Sequence, residues 1–277
     1  MLTIDAHKAK HPEIAPDFTI DQKWETYSRD EHGVWQRLFD RQTALLPGRA
    51  CDEFLEGLAK LGLSREGIPD LRRLADRLEK LTGWRVVAVP SLVPDDIFFD
   101  HLANRRFPAG AFIRKPSELD YIEEPDIFHD VFGHVPMLAH KVFADYMQAY
   151  GKGGQRALAE FGALKNLARL YWYTVEFGLI EQKGGLRIYG SGIVSSHGET
   201  IYALDDPRPK RIRFDLERVM RTEYKIDAFQ AGYFVIRSFD ELFAETYKDF
   251  AALYRKLSSG ATYKPGEVVT GDQVIGI

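Results

Sequence analysis

Two histidines and a distant glutamate carry the densest chemical signal in the sequence. The stretch Glu123-Glu124-Pro125-Asp126-Ile127-Phe128-His129-Asp130-Val131-Phe132-Gly133-His134-Val135-Pro136 sets His129 and His134 five residues apart. Neutral imidazole is a good ligand for zinc, copper, iron and nickel. Pro125 suits the first turn of a helix and Pro136 cannot sit in its interior, so the pattern predicts a helix over 125–134. On a regular α-helix, residues i and i+5 point about 140° apart, and the two rings diverge. Convergence on one metal ion then requires the last turn to unwind at Gly133. The alternative is an ordinary helix end whose imidazoles bond to carbonyls.

The second part of the pattern is Tyr171-Trp172-Tyr173-Thr174-Val175-Glu176-Phe177-Gly178-Leu179-Ile180, one carboxylate in an otherwise uncharged run. Trp172, Tyr173, Glu176, Leu179 and Ile180 share one face of a helix. A lone carboxylate is costly to bury unless it is paired or bound to metal. A salt bridge to a distant arginine is one reading. The other makes Glu176 the third member of a two-histidine, one-carboxylate facial triad, which leaves coordination positions open on Fe(II). Zinc accepts the same ligands in hydrolases. His140 is a rival ligand, but Pro136 separates it from the first helix, so it is expected in solvent or outside the ligand set.

The elements that must hold these residues follow from periodicity. Apolar residues recur at helical spacing over 21–46, 51–61, 69–83, 138–151, 155–183 and 239–257, with shorter helices over 97–102, 198–204 and 214–221. The longest, 155–183, is expected to be capped by Gly184-Gly185. Strands or extended segments are expected over 84–90, 107–114, 186–189 and 229–236, and Pro207 and Pro209 mark a loop. The fold class is mainly α with a few short β-strands. A polar arm (1–23), one helix-rich catalytic domain (24–257) and a polar tail (258–277) are expected.

Composition narrows the function further. With 37 basic and 41 acidic residues among 277, the net charge of −4 gives no basic patch for nucleic acid. The single cysteine, Cys51, excludes an internal disulfide and a cysteine-cluster zinc site, and suits a reducing compartment, the cytoplasm. No apolar leader opens the chain and no apolar run is long enough for a membrane span. Small-molecule partners remain.

The two stretches above, in order with Thr82-Gly83-Trp84, Phe112-Ile113-Arg114 and Tyr189-Gly190-Ser191-Gly192-Ile193-Val194-Ser195-Ser196-His197-Gly198-Glu199, resemble the pterin-dependent aromatic amino acid hydroxylases. The resemblance runs from about Trp24 to Leu257 and is nearest to the short bacterial members that act on phenylalanine. It implies a monooxygenase that converts L-phenylalanine to L-tyrosine with Fe(II), tetrahydrobiopterin and O2. Tryptophan or tyrosine is the alternative substrate within the family, and a zinc-dependent hydrolase is the alternative outside it. His129, His134 and Glu176 match the iron ligands, with Tyr171 and Glu199 beside the metal. Arg114 matches the arginine on the substrate carboxylate, oriented by Asp126, with Ser195 as a second carboxylate contact. Pro125, Trp172 and the His129 ring match the wall against which the substrate ring packs, and Tyr121 matches a tyrosine near the substrate mouth. Leu92, Val93, Phe98 and Asp130 match pterin contacts, Phe98 by stacking. The lack of a regulatory domain and of a long heptad helix implies a monomer.

Overall fold

Ser28 opens the first long helix, α1 (Arg29–Leu45). Its hydroxyl accepts the Glu31 N–H at 3.2 Å while the Glu31 carboxylate accepts the Ser28 N–H at 2.7 Å, a reciprocal cap. That cap splits the helix expected over 21–46: one 3-10 turn, Trp24–Thr26, precedes it, and Tyr27 is extended. The computed structural model describes residues 11–162 and 164–276, so the first ten residues of the expected arm lie outside it.

Helices α2 (Asp52–Leu61) and α3 (Leu71–Thr82) bury Phe54, Leu58 and Leu61, and Leu71, Leu74 and Leu78. The parallel strands β1 (Arg85–Val89) and β2 (Arg106–Gly110) follow, joined by α4 (Asp95–Ala103), since a parallel pair needs a crossover. Residues 11–20 lie along this unit. The Ile20 N–H donates to the Ala88 carbonyl at 2.9 Å, Arg106 holds Asp17 at 2.8 Å, and Ile14 and Phe18 pack with Val89, Val93, Ile97 and Phe98.

The segment with the two candidate histidines, Phe128–His134, runs into a short helix, α5 (Val135–Leu138), and then α6 (Lys141–Arg156). It is anchored in the main core: the Phe128 and Phe132 rings stack at 4.7 Å, and Trp35 meets Phe128 edge-on at 5.3 Å.

The stretch 155–183 is not one helix. A π turn (Ala157–Phe161) ends at left-handed Gly162, α7 (Leu164–Tyr171) passes into a second π turn (Trp172–Glu176), and the chain then enters a hairpin, β3 (Leu179–Gln182) and β4 (Gly185–Ile188). Gly184 and Gly185 make the hairpin turn at φ 92° and 121° instead of capping a helix. After α8 (Ser191–Val194) and α9 (His197–Asp205), β5 (Lys210–Arg213) occupies part of the expected loop. Beyond α10 (Leu216–Arg221), β6 (Gly232–Ile236) completes a sheet ordered β4-β3-β6-β5. All five residues of β6 are buried, which is why its sequence does not alternate.

The helix expected over 239–257 is two, α11 (Phe239–Thr246) and α12 (Ala251–Leu257), the second begun where Asp249 accepts the Ala251 N–H at 3.0 Å. Residues past α12 return to the body. Tyr263 bonds to Arg221 at 3.0 Å, Asp272 pairs with buried Arg218 at 3.0 Å, and Ile275 bonds to Arg211 at 2.8 Å. Among the described residues, no helix is long and apolar enough to cross a membrane.

Candidate metal centre

All three candidate ligands stand on π-helical turns. In such a turn each N–H bonds five residues back, so residues i and i+5 lie nearly above one another. His129 and His134 therefore share a face of Phe128–His134, and the unwinding expected at Gly133 does not occur. The helix also does not stop there: it runs on through Pro136 into α5, where the Val135 N–H bonds back to the Val131 carbonyl.

Two glycines let α8 wedge between the π turns. A Cβ on Gly133 would lie 2.9 Å from the Ser191 carbonyl oxygen, and one on Gly190 would lie 2.5 Å from the Glu176 carbonyl oxygen. Only glycine permits either approach. The wedge delivers two hydroxyls. The Ser191 hydroxyl lies 2.8 Å from Glu176 Oε2 as a donor. The Ser195 hydroxyl donates to the Ser191 carbonyl at 2.7 Å and accepts from His129 Nδ1 at 2.9 Å. That acceptor places the His129 proton on Nδ1 and turns the Nε2 lone pair toward the other ligands.

The Nε2 atoms of His129 and His134 are 3.2 Å apart, His134 Nε2 is 3.2 Å from Glu176 Oε1, and His129 Nε2 is 3.5 Å from Glu176 Oε2. Three donors each about 2.1 Å from one ion and at right angles are roughly 3 Å apart. The set fits a facially bound divalent cation, and its two-nitrogen, one-oxygen composition suits Fe(II) as well as zinc. Burial raises the Glu176 carboxyl, but the two imidazoles outweigh it and hold the group well below the usual carboxylate range. For His129, burial works the other way and the Glu176 charge prevails, so its pKa is raised.

Asp126 ties this centre to Arg114. It is fully buried and accepts Arg114 Nε and Nη2 at 2.8 Å each, the Arg114 N–H at 2.9 Å and the His129 N–H at 3.1 Å. Burial raises its carboxyl, and the bonds to Arg114 more than reverse that. Arg114 Nη1 meets no acceptor among the described residues. Asp130, pushed up to about 6 by burial against the pull of both histidines, accepts the Gly110 N–H at 2.7 Å.

Aromatic rings stand beside His134. Tyr171 stacks on His134 at 6.2 Å and meets the Phe98 ring edge-on at 5.7 Å. A cavity of about 320 Å3 opens between Asp95, Phe98, Tyr171, Trp172 and Tyr224. Val93 is buried under residues 11–20, Pro125 is half-buried, and Leu92 and Tyr121 stand in solvent. Ser195, expected on the substrate carboxylate, has its one proton engaged by Ser191 and serves the His129 ring. Glu199 bonds to Gln230 and Tyr233. His140 is outside the ligand set, its ring 5.2 Å from Phe239. The sequence reading missed Ser191 as a partner of Glu176, although its flanking glycines signal a close approach. It also missed Tyr224 and Gln230, which no pattern marks.

A two-histidine, one-glutamate centre walled by aromatics on this helical frame defines a class. The chain belongs to the biopterin-dependent aromatic amino acid hydroxylases, whose family profile matches residues 5–266. It is similar to the phenylalanine-4-hydroxylase of Caulobacter vibrioides, 66% identical over 264 residues that cover 95% of this chain and 90% of the relative. The phenylalanine-4-hydroxylase of Ralstonia nicotianae is 60% identical over 262 residues, 95% of this chain and 83% of the relative. Phenylalanine hydroxylase of Chromobacterium violaceum with bound oxidised Fe(III) superposes with a TM-score of 0.93 at 52% identity, over 99% of this chain and 100% of that one. Its iron- and phenylalanine-bound form gives 0.92 at 52%, with the same coverage.

Proposed function

We infer that the chain is a monooxygenase that converts L-phenylalanine to L-tyrosine using Fe(II), a tetrahydropterin and O2. The observation that carries this is the convergence of His129, His134 and Glu176 beside the Arg114–Asp126 pair, in a fold shared with an iron- and phenylalanine-bound hydroxylase. Iron held by those three ligands, together with the pterin, supplies the activation of O2. The protein supplies positions. Ser195 and Ser191 hold His129 and Glu176 with their donor atoms turned inward. Asp126 holds Arg114, whose remaining N–H groups take the substrate carboxylate as a planar fork suits. Pro125, Trp172 and the His129 ring flank the substrate ring, with Tyr121 near the mouth, and apolar walls there exclude water. Phe98 stacks on the pterin, with Leu92, Val93 and Asp130 around it, and Tyr171 closes the metal from the side of His134. The same proposal has the protein working as a cytoplasmic monomer.

Anaerobic reconstitution with Fe(II), then assay with phenylalanine, tyrosine and tryptophan separately, with and without tetrahydrobiopterin, tests this reading. Tyrosine formed from phenylalanine only when both iron and pterin are present supports it. Bound iron with no tyrosine formed refutes it. For the carboxylate role, Arg114→Lys keeps the buried charge beside Asp126 but loses the fork. A lost charge-assisted bond of about 1.5–3 kcal/mol raises the KM for phenylalanine roughly ten- to a hundredfold with iron retained. An unchanged KM assigns the carboxylate elsewhere.

A further inference from the structure

Trp172 is held by one directional bond. Its indole N–H donates to Gln230 Oε1 at 2.9 Å. Two rings also pack on it: Tyr224 stacked at 4.4 Å and 15°, and Phe177 at 4.7 Å and 36°. Stacking restrains the distance between planes but leaves a ring free to slide within its own plane. The bond to Gln230 removes that freedom.

Gln230 is equipped for this. It is 3% exposed, and its amide nitrogen donates to the Lys225 and Ala228 carbonyls at 3.0 and 3.2 Å. With both amide hydrogens directed at carbonyls, the amide cannot flip, and Oε1 must face the indole. Its main-chain N–H donates to Glu199 Oε1 at 3.0 Å, and the Tyr233 hydroxyl donates to the same oxygen. Glu199 lies in the first turn of α9, whose N-cap is Ser196, the neighbour of the serine that orients His129. The metal ligand and the ring wall are thus referenced to one short segment, 195–199.

We propose that Gln230 is a positioning residue for the aromatic substrate, setting where the Trp172 ring lies within its own plane through the indole N–H. This rests on Trp172 flanking the substrate ring, as inferred above. Gln230 then governs affinity for the amino acid ring and leaves the pterin side alone. A residue that only held the 223–230 loop in place would act equally whatever stood at position 172.

The test is a double-mutant cycle on the Fe(II)-loaded enzyme, with Gln230→Met, Trp172→Phe and both together. The readouts are the KM values for phenylalanine and tetrahydrobiopterin and the calorimetric Kd for L-phenylalanine. Gln230→Met is expected to raise the phenylalanine KM and Kd about tenfold, the scale of one buried hydrogen bond left half-made. The pterin KM stays within about twofold. In the Trp172→Phe background, Gln230→Met adds less than about twofold, because its target is gone. An equal effect in both backgrounds, no effect on phenylalanine, or an equal shift for pterin overturns the proposal. If Gln230→Met does not fold, Gln230→Asn, which keeps the amide but falls a methylene short of the indole, is read the same way. Wild-type enzyme that makes no tyrosine defeats the functional reading. Active wild type with an unaffected Gln230→Met defeats only this one.

Discussion

The Ser195 hydroxyl decides which nitrogen of His129 carries the proton, because its own proton is committed to the Ser191 carbonyl. A partner of this kind outside the ligand set is worth roughly ten- to a hundredfold in metal affinity. Ser195→Ala is therefore expected to weaken Fe(II) binding by that factor in a competition titration against a chelator, and unchanged affinity would remove Ser195 from the metal site. The candidate ligands were legible together: a histidine pair is weak evidence alone, and Glu176, the one charge in an apolar run, gave it a third member. Arg114, Asp126, Tyr171, Phe98 and Trp172 came from motif order and not from chemistry readable in isolation. Ser191 carried a signal in its flanking glycines that was not used, whereas Gln230 stayed hidden because a glutamine in a loop looks the same whether it bonds to water or to an indole.

At the scale of elements, the site depends on turns wound more loosely than an α-helix. Each π turn shifts the hydrogen bonding by one residue, so the prolines around 125–134 and the periodicity over 155–183 identified helices there but not the winding at 128–134 and 172–176. Elements with their own stop signals were read correctly. α2 and α3 end at Gly62 and Gly83, both left-handed. β4 was also read as a strand, over 186–189, but β3 was absorbed into the helix expected over 155–183, because it owes its state to pairing with β4 and β6. Gly133 is where α8 and the first π turn touch, and the atom a methyl group would strike is backbone. Gly133→Ala should push α8 away, lowering the melting temperature by several degrees and weakening metal binding in the same protein. A variant as stable and as tight as wild type would show that the contact can yield without cost.

Across the whole molecule, residues 11–20 and the segment past α12 are stitched to opposite sheets, and a buried histidine guards the first seam. His101 is fully buried, with Nε2 2.8 Å from the Asp17 carbonyl and Nδ1 without a partner among the described residues. Burial lowers its pKa and Arg106 adds to that, against the pull of the Asp17 carbonyl and the Asp17 and Asp100 charges. The folded chain thus refuses a proton that the unfolded chain accepts as the pH falls below the ordinary value of 6.5. The stability present above that pH is lost on acidification. Urea midpoints measured from pH 7.5 down to about 5 should fall more for wild type than for His101→Gln. Asp130 and Glu199, raised by burial, act with the opposite sign in both proteins and cancel in the difference. Parallel curves would assign the loss to other groups.

Cys51 is fully buried beside Met137, and burial pushes its thiol far above the ordinary range. Thiol-directed dyes react with accessible thiolates, so the folded protein is already blank to them. A cysteine placed on the 223–230 loop, as in Ile226→Cys at a position 71% exposed, would be the single site a maleimide fluorophore finds. Movements of the segment carrying Tyr224 and Gln230 could then be followed in solution without first removing a native thiol.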